Sequence, residues 1–120
     1  MRYRAVIMAA LLALAVVPAR AAEPACVYGA WDTGVATAAG WKFSELWGDE
    51  FQMALHVAER DAGLMHGVTA HIYAMARQVP GNSGEMQYEL AFLDRDGCFR
   101  LRLATNHYDD FLSWFDDGSI

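Results

Sequence analysis

Positive charge is scarce in this sequence. Nine Lys and Arg stand against fifteen Asp and Glu in 120 residues. Three of the nine, Arg2, Arg4 and Arg20, fall in the first 21 residues, so the remainder carries six basic against fifteen acidic side chains, a net of −9. A domain of that charge repels phosphate backbones, which argues against nucleic acid as a partner. It also lacks a basic amphipathic stretch suited to anionic lipid. Long apolar runs are missing as well. The longest apolar run, Ala5–Val17, has 13 residues, short of the ~20 that span a bilayer. Catalytic and cofactor motifs are equally scarce. There is no Gly-x-Ser-x-Gly elbow, His-Glu-x-x-His, phosphate-binding glycine loop, Cys-x-x-Cys or haem-attachment motif. The four serines, Ser44, Ser83, Ser113 and Ser119, sit in turn-like or terminal contexts.

What is present begins with a leader. Arg2 and Arg4 precede the apolar run, Pro18 breaks it, and Ala19-Arg20-Ala21 puts small residues at −3 and −1 of a signal peptidase site. That order predicts a cleaved secretory signal over residues 1–21 and a single mature domain over 22–120, in the periplasm or secreted. Glu23-Pro24-Ala25 before Cys26 does not match a lipoprotein signal, and Tyr3 between the arginines rules out a twin-arginine signal. After cleavage no membrane association is expected. The only two cysteines, Cys26 and Cys98, lie 72 positions apart. In an oxidising compartment a lone pair is expected to form a disulfide.

Turn signals at Pro80–Gly84 and Asp94–Gly97 separate segments that alternate with period two. Met86, Tyr88, Leu90 and Phe92 share one side, as do Phe99, Leu101 and Leu103, with Arg100 and Arg102 opposite. Each segment reads as a strand with one buried face. Pairing Leu93 with Cys98 sets Phe92 against Phe99, Leu90 against Leu101, Tyr88 against Leu103, and Glu89 against Arg102 on the other face. A preceding strand over Gly67–Arg77 pairs with Met75 opposite Gln87. The result is an antiparallel meander of three or four strands with one apolar face.

That face needs a cover. A helix over Glu50–Ala62 is predicted to supply it, with Asp49 as N-cap and Gly63 at C′. At about 100° per residue, Phe51, Ala54, Leu55, Val57, Ala58 and Ala62 share one broad side. Phe51, Met53, Leu55 and Val57 also alternate, so a strand here, within an all-β sandwich or small barrel, is the alternative. A short helix near Tyr108–Phe115 ends the chain. Residues 26–48 suggest a strand near Val27–Trp31 and loop or turn around Trp41–Trp47. The predicted class is α+β: a helix on an antiparallel meander, with a short C-terminal helix. A cystatin-like layout has a similar outline, an architectural likeness that carries no function.

Three groups of residues are candidates for a site. The outer sheet face carries His71, Tyr73, Met75, Gln87, Glu89, Arg100 and Arg102. Arg and Tyr are common interface anchors, and this face also suits a small polar or anionic ligand. The plain reading is a solvated face with an exposed Glu–Arg pair. The C-terminus places Phe111, Trp114 and Phe115 on one helical stripe beside Asp109, Asp110, Asp116 and Asp117. Those carboxylates with His107 match no EF-hand spacing. Finally, Met53, His56, Met65, His66, His71 and Met75 crowd into 23 positions, with ligand types that suit copper. Methionine in a small core is more often a gap filler, and no cofactor is expected. The function these features favour is an exported, non-catalytic binding module for a protein partner, basic in character and of inhibitor or immunity type. A copper-binding protein and a small-ligand binder are the alternatives.

Overall fold

The computed structural model describes residues 26–116; the predicted leader, its predicted cleavage site before Ala22, and Asp117 lie outside the described residues. The chain folds as an α+β domain. In order it forms α1 (Thr33–Ala38), β1 (Lys42–Glu45), α2 (Gly48–Asp61), β2 (His71–Val79), β3 (Asn82–Leu93), β4 (Phe99–Thr105) and α3 (Tyr108–Ser113). The four strands make one antiparallel sheet in sequence order, β1-β2-β3-β4. Among the described residues no helix is long and apolar enough to cross a membrane.

α2 is the predicted cover. It starts at Gly48, earlier than expected, and its N-cap is Trp47, with no side-chain cap bond. Asp49 therefore falls in the first turn beside Glu50, where the helix dipole stabilises carboxylates. At the other end Gly63 holds φ +72°, a conformation open to glycine without steric cost, and the Leu64 N–H turns back to the Ala58 carbonyl. Ala54 and Ala58 are fully buried against the sheet. Their small side chains let α2 lie close to Ile72, Leu90 and Phe92, with Phe51 and Leu55 flanking. α3 completes this layer through Phe111, which packs into the same core.

Both predicted pairings keep their parity but are two residues out along the strands. Between β2 and β3, Met75 lies opposite Glu89, not Gln87. The cause is the turn. Pro80 and Gly81 alone span it, with Gly81 at φ +82°, the combination a type II turn favours. The residues just after Asn82 are taken up in a bulge. The Asn82 side chain closes that bulge, accepting from the Gly84 N–H and donating to Glu85 Oε1. Between β3 and β4, Phe92 meets Leu101 and Leu90 meets Leu103, while Leu93 meets Phe99. Here Asp94 Oδ1 accepts from the N–H groups of both Asp96 and Cys98, which draws Cys98 off the β3 ladder. The bulge that follows carries Phe99 to the face opposite Leu101 and Leu103, a correction to the predicted single apolar side.

The larger correction concerns the outer face. Its centre is not open to solvent, because residues 30–41 fold over Met75 and Ala91 and leave only the margin at Arg100 and Arg102 exposed. Cys98 bonds to Cys26 and Ala30 bridges Cys98 in antiparallel fashion, so the segment at Val27–Trp31 is pinned beside β4 without becoming a strand. From there α1 crosses the sheet. Asp32 caps it, accepting from the Val35 N–H at 3.0 Å. Ala36 and Trp41 then pack on Met75 and Ala91, with Trp31, Phe43, Tyr73 and Phe99 around them. The segment expected to be loop around Trp41–Trp47 supplies the edge strand β1, whose Phe43 and Glu45 lie opposite Met75 and Tyr73. The sheet is thus covered on both sides.

Candidate functional site

The row expected on the outer face divides into distinct environments. Tyr73 stacks flat on Trp31, with centroids 4.3 Å apart and planes 5° from parallel. Phe43 meets both rings edge-on. Burial, and then the nearby Glu45 carboxylate, push the Tyr73 phenol above its ordinary pKa. Met75 is buried beneath α1 and Trp41. Glu89 is the one buried charged residue of the described chain, 5% exposed. Arg102 Nε donates to its carboxylate, and the same guanidinium lies 4.5 Å from the Phe99 ring centroid. The predicted Glu89–Arg102 pair therefore forms, diagonally across β3 and β4, with Glu89 inside the packed layer and Arg102 exposed at its rim. Arg77 is used structurally: it lies over Trp41 and donates to Gln87 and to the Ala39 carbonyl.

His71 and Arg100 remain at the margins of this layer. His71 Nδ1 sits 2.7 Å from Glu45 Oε2, which ties β2 to the edge strand. Arg100 is exposed and approaches Asp94 only to 3.9 Å.

The Met and His set does not converge. Met53 and His56 ride on α2, on the inner side of the sheet, whereas His71 and Met75 belong to the outer side. Met65 is exposed, and His66 lies 2.9 Å from Glu59. Among the described residues no group of three or more His, Cys, Asp or Glu is arranged to hold a metal ion.

At the C-terminus the aromatic stripe packs inward. Phe111 is buried, stacks on Tyr88 at 5.1 Å and meets Trp114 and Phe115 edge-on. Trp114 and Phe115 are half-buried against the same core, and Asp116 is half-buried. These rings hold α3 to the sheet.

Two other aromatics stay in solvent on this helical side. Trp47 is 68% exposed and Tyr108 53% exposed. Trp47 precedes α2, whose first turn shows Asp49 and Glu50 to solvent; Tyr108 opens α3, whose first turn shows Asp109 and Asp110. α3 links the two places. Tyr108 lies over Tyr88, while Phe115 beyond the far end of α3 lines a cleft of about 400 Å³ with Leu46 and Glu50. The signal in the sequence was the recurrence of a large aromatic one or two residues before a pair of carboxylates. Only the packing of Phe111 shows which aromatics are left over.

No protein-family model, curated protein or solved structure matches this chain.

Proposed function

We propose that this is a small exported, non-catalytic binding module that docks a basic protein partner on its helical side. One observation carries the proposal: Trp47 and Tyr108 keep large rings in water, each beside an exposed pair of carboxylates. Folding gains little from the Trp47 ring, and the Tyr108 ring, which meets Tyr88 and Phe111 along one edge, still keeps about half its surface in water; Trp and Tyr are the side chains most often found as interface anchors. Carboxylates around such anchors steer a cationic surface into contact and raise its association rate. An inhibitor or immunity protein that neutralises a basic enzyme is the concrete form of this reading. The disulfide supports export, because such bonds persist in oxidising compartments. The copper alternative is weakened by the sheet that stands between the two halves of its ligand set. Binding of a small ligand on the outer face is weakened by the cover that α1 and Trp41 provide.

The experiment is capture from the envelope or secreted fraction of the source cells with the mature chain as bait, beside a Trp47→Ala/Tyr108→Ala variant. A partner retained by the wild type and lost by the folded variant supports the proposal. A partner retained equally by both moves the site off this surface.

A further inference from the structure

The sheet has a second exposed feature, of the opposite charge. β4 has no strand neighbour other than β3 among the described residues, and the bridge between Ala30 and Cys98 reaches only as far as Phe99, whose N–H donates to the Gly29 carbonyl at 2.9 Å. Beyond it the outward edge of the strand has no neighbouring strand among the described residues. An unpaired edge offers a row of backbone donors and acceptors to any extended chain. In an acidic protein the charged side chains of β4 itself are both basic, Arg100 and Arg102; Arg102 is paired with Glu89 through one side of its guanidinium, and Arg100 stands 3.9 Å from Asp94 and is exposed. A shallow cleft of about 380 Å³ runs along this edge, lined by Tyr28, Phe99, Arg100, Leu101 and Arg102. Tyr28, at 74% exposure, stands beside it as an unburied ring.

From this juxtaposition we infer that β4 is a docking edge for an extended acidic segment of a protein partner, which adds to the sheet as a fifth strand. Side chains of such a segment alternate between faces. Carboxylates on one side reach Arg100 and the solvent side of Arg102. Apolar residues on the other side extend the surface of Leu101 and Leu103, both half-buried. Charge selects against a second copy of this chain as occupant. Full antiparallel overlap of Phe99–Thr105 with itself sets Arg102 opposite Arg102, and like charges directly opposite are unfavourable. This surface is separate from the helical side proposed above, and each can fail without the other.

The test uses the mature, oxidised protein and a blocked hexapeptide alternating Asp and Val, with a Lys–Val peptide as control. The Asp peptide should bind saturably, and more weakly as salt rises. Its affinity should drop at least about tenfold in Arg100→Glu and stay unchanged in Trp47→Ala/Tyr108→Ala. The backbone amides within residues 100–105 that point away from β3, about every second one, should gain protection from hydrogen exchange when it binds. Tyr28→Ala provides a second variant that leaves the sheet intact, and it should also weaken binding. Equal binding of the Lys peptide, binding without added protection in β4, or self-association through this strand would each overturn the inference.

Discussion

Replacing Arg102 by Leu strands the carboxylate of Glu89. That carboxylate is 5% exposed and lies on β3 between Met75 of β2 and Ala104 of β4. Removing one partner of a fully buried ion pair costs about 3–5 kcal/mol, because the remaining charge keeps its desolvation penalty. Arg102 keeps 44% of its side chain in solvent, so water can enter where the guanidinium stood and part of that cost is relieved. Loss of the contact with Phe99 removes roughly a further 0.5–1 kcal/mol. Arg102→Leu should therefore lose about 2–3 kcal/mol. The double variant Glu89→Leu/Arg102→Leu removes both charges together and should return to within about 1 kcal/mol of wild type. The coupling between the sites is then large and favourable, as expected for groups in direct contact. Urea melts of the oxidised protein read all four corners of the cycle, with an unchanged denaturant slope as the check on two-state behaviour. If Arg102→Leu loses less than about 0.5 kcal/mol, or the double variant loses the sum of the two singles, Arg102 does not offset the charge of the buried Glu89 and the reasoning fails.

Cys26→Ala/Cys98→Ala opens a loop of 72 residues and should lower stability by about 2–4 kcal/mol; thiol titration of the oxidised wild type should find no free thiol. Phe111→Ala empties a buried site between Tyr88 and Phe115 and should cost about 3–5 kcal/mol in the same melts. Trp47→Ala, at an exposed position, should change stability by less than about 0.5 kcal/mol. Burial and Glu45 raise the Tyr73 pKa, so the folded state holds that proton more tightly than the unfolded state. The resulting stability is fully present below the ordinary tyrosine value of about 10 and is lost as pH rises through the folded value. Melts at successively higher alkaline pH should show the wild type losing stability more steeply than Tyr73→Phe, and parallel curves would contradict this.

The elements that local pattern defines were legible in the sequence. The helical side formed by Phe51, Ala54, Leu55 and Ala58 outweighed the competing alternation, and Gly63 marked its end. The parity of Met86–Phe92 and of Leu101–Leu103 was correct because a buried face leaves only one parity open. The register was not legible. It depends on side chains that bond to backbone within turns, Asn82 at one and Asp94 at the other, and period two carries no trace of them. The cover on the outer face was hidden for a different reason. Trp31, Ala36 and Trp41 come from a short helix and two connecting segments, none long enough to show a period. Their burial is set by the disulfide and by the bridge at Ala30. The candidate site shifted with that cover. Tyr73 and Met75 became packed residues, Phe111 became the anchor of α3, and the exposed aromatics beside carboxylates proved to be Trp47 and Tyr108.

The proposed binding through the helical side is tested most directly by the rates at which a partner captured as above joins and leaves a protein of residues 22–120. Asp49→Asn/Glu50→Gln/Asp109→Asn/Asp110→Asn should slow association, and added salt should slow the wild type toward the same rate. Trp47→Ala/Tyr108→Ala should stay folded, losing at most about 1–2 kcal/mol through the Tyr108 contacts with Tyr88 and Phe111, and should speed dissociation by at least about thirtyfold, the effect of losing an anchor worth about 2 kcal/mol or more. Unchanged association and dissociation rates in both folded variants would contradict a binding site on this surface.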